Sequence, residues 1–244
     1  MNASIVVFKR EFLSFFSTPV AYIFIGIFLS LSGVFTFIFG GFYEREQADL
    51  LPFFNYHPWL YLFLVPAISM RIWSEERKSG TIELLMTLPL STFQIIIGKF
   101  LAAWLVLGVC LLLTMPLWLT VNYLGSPDNG LILASYIGSW LMAGSFLSLG
   151  MCMSATTRNQ VVAFILTVVI SFLFILTGTD VITALLQGSL PNWALDTVAS
   201  LSFLTHFQEM AKGVIRLNNL VFFVAMIMIC LFANYVIILK KKAA

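Results

Sequence analysis

The chain has 244 residues, 60% of them hydrophobic and 10% charged, with a mean hydropathy of +0.99. Charge this sparse and apolar runs this long exclude a soluble globule; they indicate an all-α polytopic membrane protein, one bundle over residues 1–244 with no soluble domain. The net charge of +2 says less than where the 13 lysines and arginines fall.

Residues 1–18 read as an amphipathic helix. Ile5, Phe8, Phe12, Phe15 and Phe16 recur at helical spacing, and Lys9, Arg10 and Glu11 lie among them. That pattern suits a helix lying in the lipid interface. A signal peptide is the competing reading, and it fails because the next apolar run is of spanning length and no A-x-A site follows.

The first span is expected from Val20 to Phe42, with Pro19 in its first turn. The second, Asn55 to Trp73, carries Pro58 and Pro66, which should kink it. Phe53, Phe54, Tyr56, Trp59 and Tyr61 crowd its start like an interfacial aromatic belt, with His57 among them as a hydrogen-bonded interface residue. The third span runs from Phe93 to Tyr123 with Pro116 near its far end. A turn over residues 125–130 leads to the fourth, Leu131 to Ala155. Ala134, Ser135, Gly138, Ser139, Ala143, Gly144 and Ser148 give it overlapping small-xxx-small faces, which favour close packing inside the bundle.

The fifth span is Val161 to Thr177. Residues 178–218 are half-apolar and read as two short interfacial or re-entrant helices separated near Pro191. The last span, Leu220 to Leu239, ends in Lys240, Lys241 and Lys242. Cys110, Cys152 and Cys230 lie far apart inside apolar runs and read as small packing residues. Six spans place both termini on one side. Ten cations (Lys9, Arg10, Arg71, Arg77, Lys78, Lys99, Arg158 and the last three lysines) then share that side, against Arg45, Lys212 and Arg216 on the other. The positive-inside rule makes the richer side cytoplasmic.

The longest charged interruption runs from Glu75 to Lys99, and the loop it contains is taken as residues 74–92. Glu75, Glu76, Arg77 and Lys78 form a charged turn. Gly80 gives a turn or a helix start, since Gly is tolerated at an N-cap and Glu83 sits three residues on, and Thr81–Leu88 can form one short helix. Pro89 stops that helix, and Ser91 with Gln94 forms a capping box for the next. Ile82, Leu85 and Met86 share one face; Leu84 and Leu88 lie on another. About eight residues cannot cross a bilayer that needs about 20. Two readings of these apolar side chains stand open: packing on lipid or under the bundle, and docking into another protein.

The run E-E-R-K-S-G-T-I-E-L-L-M-T-L-P-L-S, followed by Gly98-Lys99, resembles the cytoplasmic loop of ABC-2 type ABC transporter permeases. Glu76, Gly80, Thr81, Glu83, Leu84 and Pro89 match the recurring pattern. Leu201 to Ile215 is similar to the family's element before the last span. The subfamily most resembled is the gliding-motility GldF-type permease, ahead of the nitrous-oxide-reductase maturation permease. The resemblance implies that the short helix is a coupling helix entering a cleft of a separate ATP-hydrolysing subunit. Glu75, Glu76, Gly80, Thr81, Ile82, Glu83, Leu84, Leu85, Met86 and Pro89 would make that contact, with Glu76 and Glu83 reaching basic groups on the ATPase. It also implies outer half-helices capping the pathway, and a second copy or a related permease to complete it. Localisation in the bacterial inner membrane follows.

No P-loop is present, because Phe93 and Phe100 stand where G-x-x-x-x-G-K-[ST] needs Gly and Ser or Thr. ATP hydrolysis would come from the partner, and no catalytic residue, cofactor, metal or nucleic acid is expected. An intramembrane protease is the best enzyme alternative. Glu75-Glu76 invites the comparison, but Gly80 stands where its arginine should be, and His57 and His206 fall on the opposite side. A channel would carry mid-span ionisable groups; only Asp180 comes near, at a span end. Within the ABC-2 resemblance, two functions are open. One is export by alternating access. The other is a membrane scaffold or mechanotransmission device working with an auxiliary extracytoplasmic subunit.

Overall fold

The computed structural model describes residues 3–83, 90–179 and 192–242, which are helices and short connections with no strand among them. Helix α1, Ala3–Ser17, lies along α6, Thr92–Leu112. Gly98 permits the approach: a Cβ there would stand 2.8 Å from Val7 Cγ1 and 3.1 Å from the Ser4 carbonyl oxygen. Phe12, Phe15 and Phe16 of α1 pack on the core, while Ile5, Val6 and Leu13 remain exposed on a helix that suits a lipid surface.

Helix α2, Pro19–Val34, begins with its proline in the first turn and widens into a π-helical turn, Phe35–Phe39. The helix therefore ends before Phe42. There the Gly40 N–H closes on the Phe35 carbonyl at 2.7 Å, and Gly41 takes a φ of 56°.

The expected second span is three helices: α3, Leu51–Asn55; α4, His57–Ser69; and α5, Arg71–Ser79. The chain breaks at Tyr56, just before Pro58, but not at Pro66. Pro58 sits in the first turn of α4, where its missing N–H costs nothing, and Pro66 lies inside α4 with the interruption one turn later, at Met70. The expected aromatic belt is also different. Phe53, Phe54 and Tyr61 are fully buried around His57, because Phe28 of α2 and Tyr136 of the helix Asn129–Thr156 close over them.

The third run divides into α6 and α7, Met115–Leu124, where Pro116 cannot continue α6. Ser91 and Gln94 start α6 as the sequence indicates: Gln94 N–H donates to Ser91 Oγ at 3.2 Å and Ser91 N–H to Gln94 Oε1 at 3.1 Å. Helix α8, Asn129–Thr156, is capped by Asp128 and is the axis of the bundle. Its small residues serve contacts within the chain. Gly138 faces Met210, where a Cβ would stand 3.1 Å from the methionine Cβ; Gly144 faces Trp104 at 2.8 Å, and Gly150 faces Ser69 Cβ at 2.7 Å. Trp104 and Trp140 stack with centroids 4.2 Å apart, and each indole N–H donates to the other residue's carbonyl oxygen.

Helix α9, Gln160–Leu176, is capped by Asn159. Helices α10, Asn192–Ser200, and α11, Phe203–Ala211, precede α12, Leu217–Lys242. These two short helices part at Leu201 and Ser202, where the Ser202 side chain caps α11; Pro191 and Asp180 lie outside the described residues. The Cys152 thiol donates to the Cys230 carbonyl oxygen, joining α8 to α12.

Among the described residues, four helical stretches are long and apolar enough to cross a membrane: Pro19–Phe39, Thr92–Leu124, Asn129–Thr156 and Leu217–Lys240. Of the six spans expected, the second and fifth differ. The second is broken at Tyr56 and Met70, and the fifth, Gln160–Leu176, is apolar but shorter.

Candidate functional site

The polar groups at one end of the bundle converge on Lys99, two turns into the long apolar helix α6. A cation so placed must be paired or neutralised. Lys99 is only 3% exposed, and its Nζ lies 2.7 Å from Glu76 Oε1 and 3.2 Å from Glu11 Oε1. It also sits 5.3 Å from the centroid of the buried Trp73 ring. One ammonium thus ties three elements: α1 through Glu11, α5 through Glu76, and its own helix α6. Burial alone would push the Glu11 carboxyl up, but Lys99 and Arg10 outweigh it and hold the group below the usual carboxylate value.

A second tie fixes the break at Met70. The first N–H groups of a helix have no partner within it. In α5, the N–H groups of Trp73 and Ser74 both donate to Ser154 Oγ of α8, at 3.1 Å each, and that hydroxyl donates to the Met70 carbonyl oxygen at 2.8 Å. The Ser74 hydroxyl also donates to Met70 O. Arg77 then donates to the Ala155 carbonyl at 2.6 Å, at the negative end of α8. Partial burial, with Arg158 nearby, lowers the Arg77 pKa.

The charged turn expected at Glu75–Lys78 is helical, because Ile72 and Trp73 of α5 bury against the bundle and carry the helix out to Ser79. Gly80 is accordingly a C-cap, not the N-cap the sequence suggested. Its φ of 74° is the left-handed conformation that terminates α5. Its carbonyl accepts from the Glu83 N–H at 3.3 Å, so the chain turns directly into a new helical segment at residues 81–83. Thr81 and Glu83 are exposed, and Ile82 is half-buried against the core. Leu84, Leu85, Met86 and Pro89 lie outside the described residues. Glu76, expected to reach a partner's basic group, has Oε1 engaged by Lys99 instead. Glu75 points into a cavity shared with α1.

The two histidines are apart and remote from this joint. His57, expected at an interface, is fully buried, with Nδ1 2.8 Å from Ser139 Oγ. His206 Nε2 donates to the Ser200 carbonyl oxygen at 2.8 Å, and its Nδ1 lies 2.7 Å from Asn219 Oδ1. Among the described residues, no grouping of His, Cys, Asp and Glu could hold a metal.

The roles of Glu11, Trp73, Lys99 and Ser154 escaped sequence reasoning. Lys99 carried a usable signal: a cation flanked by IIIG and FLAAW needs a carboxylate from elsewhere. Ser154 carried none, since a serine in a small-residue helix looks the same whether it packs or caps.

Apolar crossings packed around α8, with charge gathered into a joint beneath one loop, define a multi-pass helical membrane protein. Residues 35–243 match the family model described as ABC-2 family transporter protein, and the chain belongs to that family. Membership implies a membrane permease component that pairs, in general, with an ABC ATPase. A search of curated proteins found no match to the chain.

Proposed function

We propose that the chain is the membrane-spanning permease subunit of an ABC-2 type exporter working by alternating access, with ATP hydrolysis supplied by a separate ATPase. The single observation that carries this reading is the joint at Lys99, which ties the root of the 74–92 loop to α1 and α6. A loop that receives force from a partner needs a stiff root. Gly80 aims the segment at 81–83 away from α5, and the exposed Glu83 is the carboxylate available to a basic group on the ATPase. Glu76 serves as the inner tie. Leu84, Leu85 and Met86 complete the docking face with Thr81 and Ile82, Pro89 ends it, and Glu75 flanks it.

Six crossings are proposed, with the 51–79 run and Gln160–Leu176 as the second and fifth. Both termini then share the cytoplasmic side of a bacterial inner membrane, by the excess of cations there. The working unit contains two such chains or a related permease. The GldF-type likeness adds an auxiliary extracytoplasmic subunit at the opposite end.

The test is a mild-detergent pull-down of the tagged chain from its native membranes, with mass spectrometry for a P-loop ATPase. A stoichiometric ATPase, lost with Glu83→Arg, supports the reading. Recovery of the chain alone, under conditions where other ABC complexes survive, would contradict it.

A further inference from the structure

A cavity of about 520 Å³ lies beside the joint, between α1, the start of α2 and the α4–α5 break. Its volume falls within the range of about 300–1,000 Å³ usual for small-ligand sites. Its walls divide by chemistry. Phe15, Val20, Ala67 and Ile68 form an apolar side; Arg71 and Glu75 stand on the charged side. The cavity sits where apolar spans give way to charged helix ends.

The charges around it are balanced but not equally engaged. Lys99 is held by Glu11 and Glu76, and Arg10 by Glu11. Arg71 and Glu75 are exposed and, among the described residues, neither side chain makes an ion pair or a hydrogen bond. They lie one turn apart on the same face of α5, yet they do not close on each other. One free cation and one free carboxylate thus face the same cavity. The apolar walls also continue away from the charges. Ile23 and Ile27 follow Val20 at helical spacing on α2, Phe63 precedes Ala67 by one turn on α4, and all three are exposed.

We propose that this cavity binds a phospholipid whose headgroup carries a primary ammonium. Its phosphate lies on Arg71, its ammonium donates to Glu75, and an acyl chain runs along Ile23, Ile27 and Phe63. An arginine suits phosphate through paired N–H donors. A carboxylate selects an ammonium that can donate over a trimethylated one that cannot. A phosphate and a hydrocarbon chain in one ligand match the division of the walls. The inference rests on the membrane reading and is independent of the ATPase.

The experiment is native mass spectrometry of the purified full chain, delipidated and then offered phosphatidylethanolamine, phosphatidylcholine or phosphatidylglycerol. Wild type should retain phosphatidylethanolamine about tenfold more than either other lipid. Glu75→Gln should erase that preference while keeping phosphatidylcholine. Arg71→Gln should lose all three, and Arg71→Lys should retain binding. Both positions are exposed, and elution like wild type on gel filtration checks the fold of each variant. Equal retention of all three lipids by wild type, or a preference unchanged in Glu75→Gln, would overturn the proposal. So would displacement of the lipid by soluble phosphoethanolamine alone, which would make the ligand a free aminophosphate.

Discussion

The joint around Lys99 and the α10–α11 segment are both polar, but they are wired differently. In that segment, His206 meets Ser200 and Asn219, Asn219 donates to Glu209 at 3.1 Å, and Arg216 reaches Glu209 at 3.5 Å. All of these residues are near neighbours in sequence. At the joint, Lys99 draws in Glu11 and Glu76, Ser154 holds the start of α5, and Arg77 grips the end of α8. Each of those ties links elements far apart in the chain. The polar contacts of the α10–α11 segment stay local, while Phe203, Phe207 and Met210 pack α11 into the core. A region wired across α1, α5, α6 and α8 is where the proposed coupling would run.

The comparison is broken most severely by Lys99→Met. Glu76 would then be left without a cation and Glu11 with Arg10 alone, a loss of about 3–5 kcal/mol, visible in chemical denaturation of the detergent-solubilised chain. Ser154→Ala leaves two N–H groups at the Met70 break unpaired. It should cost about 2 kcal/mol by the same measurement and raise hydrogen exchange at Trp73 and Ser74. Gly98→Leu forces α1 off α6 at Val7, for about 1–3 kcal/mol, and should increase protease access to residues 3–17.

Acid sharpens the contrast further. The Glu11 pKa is depressed on folding, so its contribution is full above its ordinary value of 4.5 and is lost as pH falls through the lowered value. The α1 tie should hold at pH 5 and weaken only below 4.5. The smallest effect belongs to the α10–α11 segment. Arg216→Ala removes an exposed partner of Glu209, and the stability change should stay within about 1 kcal/mol.

Elements governed by near neighbours were legible in the sequence. The Ser91–Gln94 capping box, the first-turn Pro19 and the extent of the last helix all follow from residues within a turn or two. Gly80 was not legible in the same way. A glycine with Glu83 after it fits a helix start, and only the burial of Ile72 and Trp73 shows that a helix already arrives from the other side. The sequence indicates kinks at Pro58 and Pro66 but not the break at Met70, because Ser154, from another helix, decides where the freed N–H groups find an acceptor. The aromatic residues near His57 looked like an interfacial belt because composition cannot tell a ring facing lipid from one facing Phe28. The candidate site was therefore half visible. The Ser91–Gln94 box that closes its loop could be read from local pattern, and its root, made of long-range pairs, could not.

The most direct test of the central claim separates docking from transmission. ATPase turnover would be measured in the purified complex carrying Lys99→Met, with the amount of bound ATPase measured alongside. A joint that transmits force predicts that the ATPase still binds while the chain's effect on turnover falls about tenfold, equivalent to about 1.4 kcal/mol in the barrier. Full binding with unchanged turnover would contradict it.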